Sequence, residues 1–109
     1  QVRDILYASD VVLAFDAFYK HQIPGIYNIG GGRKTMISLI ECCEMIKKIL
    51  KKDIKINFLP PRFGDLYYFV CDISKAQKNL KWEPKVKPEQ GIRELLRWVE
   101  ENIYLFKSN

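Results

Sequence analysis

The chain has 109 residues, of which 48% are apolar and 28% charged, and its formal net charge is +5. This length corresponds to one small domain and excludes a second independent one, while the composition excludes an intrinsically disordered protein. A positive charge of this size suits an anionic ligand but identifies none.

The first residues read as sequence from the middle of a domain, because the chain opens on Gln1 and continues directly into "QVRDILYASD". We therefore expect a piece of a longer protein. No leader of basic, apolar and small residues is recognisable, and no apolar run approaches the about 18 residues that a membrane span needs. The sequence predicts a cytoplasmic protein with no membrane partner.

Cysteine, histidine and lysine usage predicts neither a metal site nor a nucleic-acid surface. The three cysteines form no CxxC pair, and Cys42 and Cys43 are adjacent, so we expect reduced, mostly buried thiols. His21 is the only histidine and has no second ligand near it in the sequence. The lysines between residues 47 and 55 follow a helical pattern, which favours a solvated helix end over a nucleic-acid patch.

A first helix is predicted from Ser9 to about Gln22, where apolar residues recur at helical spacing. They form two sides, one of Val11, Ala14, Phe15 and Phe18 and the other of Val12, Leu13 and Tyr19. Such a helix is expected to be covered on more than one face. Pro24 and Gly25 end it, and the following "IYNI" (26–29) predicts a short buried strand.

Ser38 and Glu41 have the spacing of a capping box before a second helix, which is predicted to run to about Leu50. Residues 54–58 alternate as a strand does and stop before two prolines. Residues 67–71 form a further extended stretch.

Two more helices are predicted towards the end of the chain. Ser74 with Gln77 is expected to cap a short helix that runs to about Leu80. Pro88 occupies the first position of the last helix. The buried stripe of that helix is predicted to be Ile92, Leu95, Leu96, Val99 and Ile103.

This order of elements predicts a mixed α/β fold. Two short, separated strands do not complete a parallel sheet, so we interpret the first helix and residues 26–29 as the last helix–strand unit of a larger sheet. Residues 1–35 would be that unit with its glycine-rich loop, and residues 36–109 a small mixed α/β lobe. The strand at 26–29 would expose an apolar edge, through which the chain is expected to self-associate.

Three successive glycines occur in "NIGGGRKT" (28–35), between a predicted strand and a predicted helix. A P-loop needs Gly directly before its Lys, where this sequence has Arg33, and the GxGxxG pattern needs Gly where it has Thr35. Two interpretations remain, a turn with close backbone approach and a loop that touches a ligand.

No catalytic set can be assembled from this sequence, since it has one histidine and no Tyr followed four residues later by Lys. The candidate binding groups are Arg3, Arg62 and Asp65, although Arg3-Asp4 can be an ordinary ion pair and "RFGD" (62–65) an ordinary turn. Arginine's planar fork suits diphosphate oxygens, and a carboxylate can accept hydrogen bonds from ribose hydroxyls. The two arginines would form a pyrophosphate clamp if the fold brought them together.

Three segments carry a resemblance to known proteins: "QVRDILYASDVV", "GIYNIGGGRKTMISLIE" and "RFGDLYYFVCDISKAQKNLKWEPKV". In this order they resemble the C-terminal part of the extended short-chain dehydrogenase/reductase family, the NAD-dependent nucleotide-sugar epimerases and dehydratases. The similarity covers nearly the whole chain. "QVRD" together with "NIGGGR" looks most like the CDP-paratose 2-epimerase branch.

The resemblance implies the substrate-binding portion of a Rossmann-type epimerase. It implies that Arg62 and Asp65 contact the diphosphate and ribose of a nucleotide-diphosphate sugar, and that Arg3 reaches the phosphates. The further substrate contacts implied are Gly31, Arg33 and Phe69. Phe69 stands where many relatives carry a Tyr, and Phe63 where many carry a Pro.

The resemblance also implies that NAD transiently oxidises the sugar with the help of a Tyr–Lys pair. Both the NAD site and the Tyr–Lys pair would lie upstream of this chain. The chain would then contain no catalytic and no cofactor-binding residue, and it would be inactive alone. The longer parent would be a homodimeric enzyme of carbohydrate biosynthesis. Two alternatives are a fragment of a nucleotide-sugar 4,6-dehydratase and a non-catalytic binding or interaction module.

Overall fold

The computed structural model describes residues 1–107 and has a mixed α/β fold. Residues 108 and 109, the end of the predicted second part, lie outside the described region. The elements in chain order are β1 (Val2–Asp4), α1 (Ala8–His21), β2 (Met36–Ser38), α2 (Leu39–Leu50), β3 (Tyr68–Phe69), α3 (Ser74–Leu80) and α4 (Pro88–Glu101). Short 3-10 turns lie at Arg33–Thr35 and Ile103–Phe106. All four predicted helices are confirmed.

The three strands form one mixed sheet in the order β2-β1-β3. The central strand β1 is antiparallel to β2 and parallel to β3, with Arg3 opposite Ile37 on one side and Phe69 on the other. Because successive side chains of a strand point to opposite faces, these three share one face, whereas Tyr68 lies on the opposite face. The division at residue 35 stays a prediction; β1 from the first part pairs with β2 and β3 of the second.

Neither of the predicted strands at 26–29 and 54–58 pairs with a strand of the described chain. The prediction for 54–58 is therefore wrong, whereas the partner of 26–29 was predicted to lie in a larger sheet outside this sequence, so that strand stays a prediction. Alternation of side chains is necessary for a strand, but its backbone groups also need a partner. Nor is the first segment wholly buried: Ile26 is 88% exposed, while Tyr27 and Ile29 pack partly against the core. Phe58 in the second segment is likewise exposed.

The start of α2 is confirmed as a capping box. The Ser38 hydroxyl accepts from the Glu41 amide at 3.1 Å, and the Ser38 amide donates to the Glu41 carboxylate at 2.7 Å. The predicted cap of α3 is wrong: the Ser74 side chain does not cap it, and Asp72 accepts from the Ser74 amide at 3.0 Å instead. Pro88 begins α4 as predicted.

The core lies between α1 and α3, where a buried cluster contains Ala14, Ile73, Ala76, Leu80 and Trp82. Asp10, only 1% exposed, fastens α1 to the segment after α3. Its two carboxylate oxygens accept from the amides of Lys85 and Val86 at 3.1 and 3.0 Å, and its carbonyl accepts from the Trp82 indole at 2.9 Å. These hydrogen bonds hold α1 beside the residues that connect α3 to α4.

Two predicted apolar surfaces are less buried than expected. On α1 the second side is largely exposed in the described chain, including Val12 at 64% and Tyr19 at 74%. In the α4 stripe Ile92 is buried, but Leu95 and Ile103 are half exposed. The prediction of mostly buried thiols is also corrected, since all three cysteines are free and only half-buried. No helix in residues 1–107 has the length and apolar character needed to cross a membrane.

Candidate functional site

The segment "RFGD" forms a tight turn directly before β3. The Asp65 amide donates to the Arg62 carbonyl at 3.3 Å, which closes a four-residue turn. Gly64, the third residue, has a φ of +85°, a conformation that glycine adopts without strain. The glycine is therefore required by the backbone, and it places Arg62 beside Asp65.

The Asp65 carboxylate is the centre of this turn. Its Oδ2 accepts from Arg62 Nε and from the Gln1 side-chain amide, each at 3.1 Å. The hydrogen bond from Arg62 is the main cause that lowers the pKa of Asp65, and the charges of Arg62 and Arg3 contribute in the same direction. The carboxylate is therefore ionised at neutral pH and acts as a hydrogen-bond acceptor only.

Arg3 on β1 reaches the same loop from the sheet. Its Nη2 donates to the Leu66 carbonyl at 2.8 Å and its Nη1 to the Val2 carbonyl at 2.7 Å, while the Val2 amide donates to the Tyr67 carbonyl. The structure thus brings Arg3, Arg62 and Asp65 to one corner of the sheet, as a clamp requires. Gln1 belongs to this corner too, although a single terminal glutamine gave no signal in the sequence.

The Arg62 guanidinium is held through its Nε, whereas its two terminal nitrogens are unoccupied in the described chain. It is 83% exposed, and within residues 1–107 only its Nε makes a hydrogen bond. Its two terminal nitrogens can therefore donate to an external group without breaking a contact. Phe69, opposite Arg3 in the sheet register, is half exposed on the same face.

The glycine run is packed against its own chain. A Cβ on Gly30 would lie 2.5 Å from Cys71 Cβ, and one on Gly31 would collide with the Thr35 hydroxyl and the Ile5 carbonyl. The Gly32 amide donates to the Asp4 carboxylate at 2.9 Å. Close backbone approach therefore accounts for these glycines, and the backbone amide of Gly32 is already taken by a carboxylate rather than free for a phosphate.

A cavity of about 490 Å³ opens beside this loop, with Gly31 and Arg33 in its wall. Tyr68, Asp72 and Glu83 also line it, whereas Arg3, Arg62, Asp65 and Phe69 do not. Because Tyr68 and Phe69 point to opposite faces of the sheet, the cavity and the Arg3 corner lie on different faces. The six predicted site residues therefore fall into two groups rather than one.

Charge around this cavity is balanced. Lys34 on the glycine loop pairs with Glu83 at 3.2 Å, and the hydrogen bond from the Ser74 amide, with help from the Arg33 charge, lowers the pKa of Asp72. Sequence reasoning did not find Tyr68 or Glu83 as lining residues. Alternation within residues 67–71 could have placed Tyr68 opposite Phe69, but nothing local identifies Glu83.

The described residues do not fit a bound dinucleotide or a metal. The glycine loop lacks the GxGxxG spacing, and other residues of the chain pack closely against it. No Tyr is followed four residues later by Lys. Among residues 1–107 no group of three or more His, Cys, Asp or Glu side chains is arranged around a common point.

Comparison with known proteins identifies the family. Residues 1–95 match the protein family described as GDP-mannose 4,6 dehydratase. The chain is 36% identical over 108 residues to UDP-glucuronate 4-epimerase from Thermodesulfobacterium geofontis, covering 99% of this chain and 33% of that protein. It is 35% identical to CDP-paratose 2-epimerase from Salmonella typhi, covering 91% of this chain and 30% of that protein.

The fold matches as well. The crystal structure of UDP-glucose 4-epimerase with UDP-glucose from Thermotoga maritima superposes with a TM-score of 0.84 at 31% identity, over 94% of this chain and 32% of that one. The chain therefore belongs to the extended short-chain dehydrogenase/reductase family of NAD-dependent nucleotide-sugar epimerases and dehydratases. It spans about a third of the length of these relatives and matches their C-terminal part.

Proposed function

We propose that this chain is the nucleotide-sugar-binding part of an NAD-dependent nucleotide-sugar epimerase. The observation that carries the proposal is the convergence of Arg3 and Arg62 on the loop around Asp65. Arg62 binds diphosphate oxygens through its free terminal nitrogens, and Arg3 adds a second positive charge at the same corner. Asp65 accepts hydrogen bonds from the ribose hydroxyls.

Three further residues are proposed to contact the substrate away from the Asp65 turn: Phe69, Gly31 and Arg33. Phe69 neighbours Arg3 on one face of the sheet and offers an apolar ring to the sugar or base. Gly31 and Arg33 line the cavity on the other face, so they contact a different part of the substrate from Arg3 and Asp65. Arg33 is exposed and can donate hydrogen bonds to an anionic group.

We propose CDP as the nucleotide and epimerisation at C2 as the reaction of the longer parent, an isomerase of carbohydrate biosynthesis that works as a homodimer. Support comes from the 35% identity to CDP-paratose 2-epimerase. UDP is the first competitor, because the UDP-sugar 4-epimerase relatives match equally well.

In that parent, NAD supplies the oxidant for the sugar and is held by residues upstream of this chain. The residues present here bind and orient the nucleotide end of the substrate and supply no catalytic group. We therefore propose that the isolated chain binds but does not turn over. A 4,6-dehydratase parent is the second candidate, favoured by 30% identity over the whole chain to dTDP-glucose 4,6-dehydratase from Haemophilus influenzae.

The test is an amide-resolved NMR titration of the chain with CDP, UDP, GDP and dTDP. We expect one nucleotide to shift the amides around Arg3 and Arg62–Asp65, and Arg62→Ala to abolish those shifts. Arg97→Ala is the matched control, because Arg97 on α4 is likewise exposed and paired with a carboxylate three residues away. A folded sample that responds to none of the four, or equally in both variants, contradicts the proposed clamp and favours a non-catalytic interaction module.

A further inference from the structure

We infer that Gln1 is a positioning residue of the nucleotide site, which holds the Asp65 carboxylate so that its Oδ1 faces a bound ribose. The inference rests on the proposed function, because it assigns a role within the corner that Arg3, Arg62 and Asp65 form. It adds to that corner a residue that acts through Asp65 and makes no contact of its own with the ligand.

The sheet fixes Gln1 in place. Its carbonyl accepts from the Leu39 amide at 3.0 Å. The amide of the next residue, Val2, donates to the Tyr67 carbonyl at 2.8 Å. Because side chains alternate along a strand, Gln1 lies on the same face as Arg3, two residues further on. The backbone therefore directs the Gln1 side chain to the loop that Arg3 also reaches.

Both hydrogen bonds that the described chain makes to the Asp65 carboxylate reach the same oxygen. Oδ2 accepts from Gln1 Nε2 and from Arg62 Nε, each at 3.1 Å. The Arg62 donor belongs to the turn itself, whereas the Gln1 donor comes from the sheet, 64 residues away in the sequence. Two donors from separate parts of the chain restrain the rotation of the carboxylate, which one donor within the turn would leave looser.

The second oxygen of this carboxylate is left for a ligand. Asp65 Oδ1 has no hydrogen-bond partner within residues 1–107 and is open to solvent. Its lone pairs can accept only from groups outside the described chain, and the neighbouring hydroxyls of a ribose are such donors. Gln1 supplies its hydrogen bond without adding a charge, so the two arginines remain the cations for the diphosphate.

The first test is carbon-13 titration of the Asp65 carboxyl. The hydrogen bond from Arg62 is the main cause that lowers the pKa of this group, and the hydrogen bond from Gln1 acts in the same direction. Gln1→Leu, which has a similar size and no donor, is expected to raise the midpoint. Gln1→Lys, whose ammonium can donate to the same oxygen, should keep it low. The matched control is Gln90→Leu, which changes an exposed glutamine on α4 and should leave the midpoint unchanged.

The second test is an NMR titration with CDP and UDP and with the 2′,3′-dideoxy analogue of each. All chains carry one added residue before position 1, because an N-terminal glutamine cyclises and loses its amide nitrogen. In Gln1→Leu the affinity for the ribonucleotide is expected to fall about fivefold, the equivalent of one hydrogen bond. The affinity for the dideoxy analogue should change less than about twofold, since that ligand lacks the hydroxyls that Oδ1 accepts from.

Each part of the inference can fail separately. An Asp65 midpoint that is unchanged in Gln1→Leu would overturn the positioning by Gln1, whether or not a nucleotide binds. Equal losses of affinity for the ribonucleotide and its dideoxy analogue would indicate a merely structural role and would also overturn it. A chain that binds neither nucleotide, although its Asp65 midpoint responds to Gln1→Leu, would contradict the proposed function and the ribose contact with it.

Discussion

Gly64 sets the geometry of the Arg62–Asp65 turn through its backbone alone. A Cβ at this position would meet nothing within 4 Å, so the cost of Gly64→Ala comes only from the φ of +85°. We expect a loss of about 1–2 kcal/mol in turn stability. The nucleotide affinity should fall with it, because Arg62 and Asp65 would no longer be held together.

Phe63→Pro should act in the opposite direction. Phe63 is fully exposed, its amide donates no hydrogen bond to a described residue, and the second position of such a turn favours proline. We expect a gain of about 0.4–1 kcal/mol from reduced unfolded-state entropy. Urea unfolding should show a lower free energy of unfolding for Gly64→Ala and a higher one for Phe63→Pro. If both variants changed it in the same direction by the same amount, the turn would not have the geometry described.

The protonation of Asp65 gives a pH prediction. Its pKa is below the ordinary 3.8, chiefly because of the hydrogen bond from Arg62, so the contact is fully present above that value. It is lost as the pH falls through the lowered pKa, and neutral and mildly acidic solutions should leave the turn unchanged. Carbon-13 titration of the Asp65 carboxyl should give a midpoint below 3.8 that rises towards 3.8 in Arg62→Ala. An unchanged midpoint would show that the ion pair is absent in solution.

The position of a single residue was predicted best where its partners lie close to it in the sequence. Arg62, Gly64 and Asp65 lie within four residues, so their turn could be inferred from sequence. The contact of Arg3 with the Leu66 carbonyl spans 63 residues and depends on β1 pairing in parallel with β3, which no local pattern encodes. For the same reason Gly31 and Arg33 could not be assigned to a separate face.

At the scale of elements, α2 owes its beginning to two reciprocal hydrogen bonds. Ser38→Ala removes the acceptor for the Glu41 amide and should cost about 1 kcal/mol in the free energy of unfolding. Glu41→Gln retains an acceptor for the Ser38 amide and should cost less. The matched control is Ser9→Ala, since Ser9 is exposed in the first turn of α1 and no side chain caps that helix, and chemical denaturation compares the three. Equal losses in all three would contradict a specific role for the box.

Helices were more predictable than strands, of which only β3 falls in a stretch predicted as extended, for a physical reason. A helix satisfies its hydrogen bonds within one segment, so its apolar period and caps are readable locally, as in α2 and α4. A strand exists only with a partner, so residues 54–58 alternate correctly and remain unpaired. Conversely, β1 and β2 have three residues each, too few to show alternation, and are strands because they lie beside each other.

At the scale of the whole molecule, Asp10 links distant parts of the chain. It accepts from amides that are 75 and 76 residues away, and it thereby places α1 next to the segment that carries Glu83 to the cavity wall. The core cluster is small, so a buried carboxylate with two backbone donors is a substantial part of what fixes this packing. Its removal would leave two amides without acceptors.

We therefore expect Asp10→Ala to lower the free energy of unfolding by about 3 kcal/mol, from two charge-assisted hydrogen bonds and the amides left unpaired. Asp10→Asn keeps one acceptor oxygen and should lose less. Asp53→Ala, which removes a carboxylate that is 98% exposed, should remain within about 0.5 kcal/mol of the parent chain. Urea unfolding followed by circular dichroism measures all three. Because the link crosses the molecule, Asp10→Ala should also reduce amide protection in both α1 and residues 82–86, and a loss confined to one of them would show that Asp10 does not couple the two.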